Sequence, residues 1–523
     1  MKQPIIKLLW VIFLLSVISF HSCTKDDETP IYIKTTITTY DFSKTIDENP
    51  PAGYEIGTLL ASTNQGQLEY FISEQDPVGA LSIDSSSGEI KVANSNLFNY
   101  QTNPIVTGTV MVTNEDVSES ATITISLNEK TEKKIYDGLI NLKSQAEVDA
   151  FGANNYTHIS ETLNIGRYLE NETSDIHDLS PLSSLTFIGK NLIVGLNPDL
   201  QNLQGLDNVS QINGQVVIAE NEGLTSIQSL GNAQGSINFS LSILENINLQ
   251  NLDGLENFGE SINLNITDNP SLQSIQALSS MTKAYNVSIL NNNQLTSLTG
   301  LQNIKEVLDI SIGNNSSLDN LDALANLTHI KNRISIFENE SLISINSFDN
   351  LILFPITIYI INNNSLQSIS GLNSIENAGV IDITENPNLN SLEGLNNLKS
   401  AHSVTISNNE SIQNLDQLSN LESVVELKMA ANPNLVNIEG LNSLKYVIEN
   451  LKIAGNNAIS SLDGLQSLLF IGRDLIIQNN SSLTDFCSLQ PTLLENGLDG
   501  DYRVRNNAYN PSIQDIINGN CSL

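Results

Sequence analysis

Asparagine returns along most of this chain at Asn197, Asn221, Asn246, Asn269, Asn292, Asn315, Asn339, Asn363, Asn386, Asn409, Asn432, Asn456 and Asn480, at intervals of 23 to 25 residues. Three and five places before each one stands an apolar residue, as Leu264 and Ile266 do before Asn269. Three, six and nine places after come more, as Leu389, Leu392 and Leu395 do after Asn386. A unit of this size cannot cover its own apolar side, so the repeat requires stacked coils, each covered by its neighbours.

Within each coil the segment before the asparagine alternates. Its inward positions are apolar, and the position six before the anchor is polar everywhere except Val380. A period of two with one apolar face predicts a one-sided strand, and stacking makes a long parallel sheet of thirteen strands. The return path steps apolar every three residues, which favours tight turns and 3₁₀ segments. The asparagines read as a structural ladder, because a buried amide needs partners and adjacent coils supply them.

Among the 523 residues, acids outnumber bases 58 to 23, a formal charge of −35. Such a field repels nucleic acid and anionic headgroups, and no clustered Lys and Arg offset it. The N-terminus has basic Lys2 and Lys7, an apolar run over 8–20, and then Cys23. That run is short for a membrane span and suits a signal peptide over 1–22. Cysteine directly after it resembles a bacterial lipoprotein lipobox, and Thr24-Lys25-Asp26-Asp27-Glu28 resembles an acidic surface-export signal. The resemblance implies lipidation of Cys23, a flexible tether over 23–30, and an outer-membrane protein facing the exterior and touching the membrane only through its lipid. Ordinary secretory cleavage is the alternative.

Residues 31–128 read as about seven short strands separated by turn residues, a β-sandwich. The order of its pieces resembles a cadherin repeat, carried by Asp47-Glu48-Asn49-Pro50-Pro51-Ala52-Gly53 and by Leu81-Ser82-Ile83-Asp84 with Gly88-Glu89-Ile90. That resemblance implies calcium held by carboxylates. The matching positions here are Glu48, Asn99, Gln101 and Asn114, of which only Glu48 keeps a charge. A plain spacer is the competing reading. The polar run over 129–134 reads as a linker.

Residues 135–523 form the solenoid with a cap at each end. Ser144 with Glu147 reads as a capping box opening a helix over 145–151 that Gly152 ends. Near the C-terminus, Pro511 reads as the first position of a helix closed by Gly519. Cys487 and Cys521 flank that segment and, in an exported protein, are expected to form a disulfide, with two free thiols the alternative. The repeat, with the Lys143-Ser144-Gln145-Ala146-Glu147-Val148 opening, resembles leucine-rich repeats and the receptor L-domain. The fold class is therefore mainly β: a cadherin-like sandwich and a long parallel β-solenoid.

No HExxH, CxxC, GxSxG or phosphate-binding loop surrounds His158, His177, His329 or His402. The expectation is no enzyme. What remains is surface. Phe337, Tyr359, Asp382, Lys428 and Lys452 stand out on the otherwise small and polar outer face of the sheet, and mark the candidate binding face. The expected function is adhesion or ligand capture through protein contacts; a polysaccharide-binding role in nutrient uptake and a passive envelope spacer are the alternatives.

Overall fold

A computed structural model describes residues 33–115, 117–130, 133–168, 172–235, 239–349, 351 and 356–523. The signal peptide expected over 1–22, Cys23 and the tether over 23–30 lie outside the described residues. The chain divides into two compact units, residues 1–132 and 133–523.

The first unit is a β-sandwich. Strands Phe42–Asp47, Val117–Asn128, Ile105–Asn114 and Glu69–Asp76 form one sheet, and Glu55–Thr58, Glu89–Val92 and Leu81–Ile83 a second. Alternate residues of both sheets enter one core, among them Ile56, Ile90, Val110, Val112, Ile123 and Ile125. Two short strands raise the number above the seven expected: Ile37–Thr39 pairs antiparallel with Ala61–Thr63.

The second unit is one continuous stack. Its sheet holds 18 strands, running from Ile140–Leu142 to Tyr502–Arg505. Every pairing in it is parallel, so the sheet is about 70 Å long at the usual strand spacing. The thirteen rungs anchored from Asn197 to Asn480 are joined by three more, Ile140–Leu142 and Leu163–Gly166 at the start and Tyr502–Arg505, anchored by Asn507, at the end. Two late coils contribute two strands each, such as Tyr446–Val447 with Leu451–Ala454.

The length of each coil decides which form its strand takes. Where 23 residues separate successive ladder asparagines, as from Asn292 to Asn315, the strand is unbroken, as Glu306–Gly313 is. Where 24 separate them, the extra residue must go somewhere. Between Asn315 and Asn339 it enters the strand as a bulge opposite Val307 and Asp309. Between Asn432 and Asn456 it splits the strand in two.

Inside the stack, apolar side chains from Leu142 to Ile516 form one core with no break. Short 3₁₀ segments such as Asp322–Leu324 and Asp416–Leu418 carry the return path, as the three-residue spacing requires. The asparagines run beside this core and are 0% exposed from Asn197 to Asn480. At Asn292 the backbone N–H donates to the Asn315 Oδ1 at 3.0 Å. Its Nδ2 donates to the carbonyls of Ile266 and Leu290, each at 2.9 Å, and its Oδ1 accepts from the Asn269 N–H at 3.2 Å. Each amide thus bridges three successive coils. Ser174 closes the ladder at one end by donating to Asn197, and Asn510 closes the other by accepting from Asn507.

The caps differ in detail from expectation. The first helix, Gln145–Gly152, forms, but Ser144 makes no side-chain cap. Glu147 instead takes the Lys143 N–H at 2.6 Å, and Gln145 Oε1 accepts from the N–H groups of His177 and Asp178. At the far end the helix is Ile513–Ile517, starting later than Pro511, because Ser512 and Asp515 form a complete capping box there. Pro511 serves as an acceptor for the Tyr502 hydroxyl. Cys487 and Cys521 are disulfide-bonded, with Cα atoms 4.8 Å apart. Closing this 34-residue loop contributes about 3–4 kcal/mol by restricting the unfolded chain.

Replacing Asn315 by Leu leaves the Asn292 N–H and the Ile289 carbonyl buried without that partner. The expected loss is about 2–4 kcal/mol by chemical denaturation, whereas Asn293→Ala, at an exposed position of the preceding coil's turn, costs under about 0.5 kcal/mol. Equal effects at the two positions would contradict the ladder's role.

Candidate ligand-binding face

Because strand side chains alternate, the positions four and two before each ladder asparagine point away from the core. Register turns these positions into rows across the sheet. Tyr359 pairs with Asp382, Asp382 with Thr405, Thr405 with Lys428, and Lys428 with Lys452. Four of the five candidate residues therefore share one row about 19 Å long. Sequence spacing had placed them on one face, and the structure makes them successive neighbours.

Their chemistry changes along the row. The Tyr359 side chain is half-buried and its hydroxyl makes no hydrogen bond among the described residues. Asp382 accepts from the Thr384 hydroxyl. Lys428 is exposed and Lys452 half-buried, and neither forms an ion pair among the described residues. Elsewhere the lysines of this solenoid do find acids one coil away, as Lys283 does with Glu260 at 3.2 Å and Lys399 with Glu376 at 2.7 Å. Two like charges on adjacent strands oppose each other, which costs a few tenths of a kcal/mol or more, roughly, with nothing bound.

Phe337 belongs elsewhere. It lies in the neighbouring row, opposite Gly313 and Ile361. A Cβ at Gly313 would meet the Phe337 ring at 2.3 Å, so the ring lies against that glycine. Phe337 is filler over a missing side chain, in a different row from Tyr359.

Sequence reasoning missed the residue immediately before each ladder asparagine. Asp268, Asn291, Asn314, Glu338, Ala431 and others there have φ between 52° and 60°. The turn inward requires this left-handed backbone, which suits Asn, Asp and Gly and strains the rest. These side chains form a further row along the sheet edge. Glu220, Glu245 and Asp268 follow one another in it and line an open groove of about 680 Å³ with Pro198 and Pro270. Burial, with the charges of Glu220 and Asp268, pushes the Glu245 carboxyl above its ordinary range. The recurrence of Asn, Asp and Glu before the anchor was the available signal. Among the described residues, no group of three or more His, Cys, Asp or Glu is placed to hold a metal ion.

The cadherin-like positions in the first unit do not converge. Glu48 is 7% exposed, and its two oxygens accept from the N–H groups of Tyr100 and Lys130, each at 2.9 Å. Asn99 caps the Thr102 N–H at 3.1 Å, and the Gln101 amide donates to Glu129. Asn114 sits at the far end of strand Ile105–Asn114, about 30 Å along, donating to Thr63 and Gln65. The four side chains thus cannot share one ion, and Glu48 fastens two backbone segments directly.

Neither a family model nor a curated protein matches this chain. Among solved structures, cadherin domains 3–6 of protocadherin gamma B2 align at 18% identity over 19% of this chain and 23% of that one, with a TM-score of 0.17. Domains 3–6 of protocadherin gammaB7 align at 12% identity over 20% and 30%, also with a TM-score of 0.17. This chain therefore spans less than a third of those protocadherin chains. A leucine-rich-repeat protein of Leptospira interrogans aligns at 15% identity over 62% of this chain and 84% of that one, with a TM-score of 0.29.

Replacing Glu48 by Gln leaves one acceptor oxygen for two backbone N–H donors, and is expected to cost the first unit about 1–3 kcal/mol. The loss, read from melting curves, is expected to be the same in calcium and in chelator. A loss that appears only with calcium present would restore the ion-binding reading.

Proposed function

We propose that this protein is a non-catalytic adhesion module, tethered to the cell exterior through lipid on Cys23, whose solenoid captures a protein partner on its strand face. The observation that carries the reading is the row from Tyr359 to Lys452: a hydroxyl, a carboxylate and two unpaired amines held at fixed spacing on a rigid parallel sheet. A typical protein interface covers about 800 Å² on each partner, and a sheet of this length gives that area without a cleft. Mixed charge in one row favours a specific partner, since each wrongly placed like charge would be left desolvated. The lipobox-like Cys23 and the acidic stretch after it support display outside the cell.

The test uses the full chain, unlipidated by Cys23→Ser, binding to intact cells and to extracellular matrix before and after protease shaving of the target. Binding is expected to be saturable and protease-sensitive. The Lys428→Glu/Lys452→Glu double variant is expected to weaken it about tenfold or more, with melting temperature unchanged. Folded wild-type protein that captures nothing, or a charge-reversed variant that binds as well as wild type, would overturn the reading.

A further inference from the structure

Opposite charges collect without partners at two places on the solenoid. One is the edge groove of about 680 Å³ in the early coils. Its Glu220, Glu222 and Glu245 carboxylates have no ion pair or side-chain hydrogen bond among the described residues. Asp268, next in the same row, accepts from the Asn291 amide at 2.6 Å. Among the described residues, no cation lines this groove. Arg167, two coils before Glu220, is held by Glu172 at 2.8 Å. Leu169, Glu170 and Asn171, which lie outside the described residues, bring no positive charge. Like charges on successive coils repel one another, and burial, with the charges of Glu220 and Asp268, holds the Glu245 carboxyl above its ordinary range.

The other place is the sheet row at Lys428 and Lys452, whose amines form no ion pair among the described residues. In a chain of 58 acids and 23 bases, a lysine normally finds an acid on the next coil, as Lys283 and Lys399 do. The two places match in spacing. Ala219 pairs with Leu244, so Glu220 and Glu245 stand one strand apart, and Lys428 is likewise one strand from Lys452, about 4.8 Å in each case. They cannot meet within one molecule. Strands Ser240–Leu244 and Ser423–Ala430 are eight steps apart in one continuous sheet, about 38 Å.

We infer that a second copy of this chain docks on the solenoid, its lysine row lying in the acidic groove. The inference rests on the protein-capturing reading of that row and names the partner. Each ammonium meets one carboxylate at matched spacing. The lysine stems cross Pro198, Ile247 and Pro270, the apolar side of the groove, where Ile247 is 44% exposed in the free molecule. A foreign basic partner would answer the groove alone, and an acidic one the row alone; a second copy answers both. Two copies running antiparallel make both contacts at once, because groove and row are equally far apart in each, and the pair closes on itself. The general repulsion between two chains of charge −35 is screened beyond about 8 Å at physiological ionic strength, which leaves the direct contacts to decide.

The test is sedimentation velocity of the full chain, unlipidated by Cys23→Ser, at physiological ionic strength. A concentration-dependent monomer–dimer equilibrium is expected, with a Kd of about 1–100 μM. Lys428→Glu/Lys452→Glu and Glu220→Lys/Glu245→Lys are each expected to weaken dimerisation about tenfold or more, with melting curves matching wild type. Mixing the two variants is expected to restore it. So is the chain carrying all four changes, which keeps the charge at −35 because two lysines and two glutamates exchange. Wild-type protein that stays monomeric, yet binds cells through Lys428 and Lys452, overturns this inference and leaves the protein-binding reading of the row standing. Dimers that neither reversal weakens, reversals that mixing does not restore, or association that continues past the dimer would each overturn it too.

Discussion

The solenoid depends on a hydrogen bond that no coil can make alone. Each ladder asparagine is fully buried, and its amide is satisfied by the strand carbonyl of the coil before and the asparagine of the coil after. A buried amide without partners costs roughly 1–3 kcal/mol, so the coils are stable only in file. Where a coil is longer, the ladder stays in register while the extra residues are pushed into the segment ahead of it, as bulges and split strands.

From this constraint follows the division of the molecule into committed and uncommitted side chains. Inward positions fill the core, the asparagines bind coil to coil, and the left-handed residues before them turn the chain. Several lysines along the edges pair with an acid of the neighbouring coil. The outward rows of the sheet have no such duty, and there unpaired groups collect: Tyr359, Lys428 and Lys452 in the middle and later coils, with the Asn164 Oδ1 at the start. The proposed binding row uses positions that the fold leaves free.

Much of this was legible in the sequence because it repeats. The strand alternation, the three-residue return path, the ladder asparagines and the Cys487–Cys521 bridge were all readable from spacing or from the company of residues. The left-handed position before each anchor was harder, since Leu196, Glu220 and Ala431 share it with Asn and Asp and so hide the conformational demand. The cross-strand pair Asn141 and Asn164 was invisible for a different reason. It belongs to the first coils, which lack a ladder asparagine, and its residues come together only through strand register. Phe337 is the reverse case: it stands out in sequence, and register shows its ring lying against Gly313.

Native-state hydrogen exchange across residues 133–523 measures directly whether the coils hold one another up. A single stack predicts backbone protection that is greatest in the central coils, falls gradually toward the N-terminal cap, and is held up near the C-terminus by the disulfide. Protection divided into blocks that open independently, with a sharp boundary between neighbouring coils, would contradict a stack held together by shared asparagines.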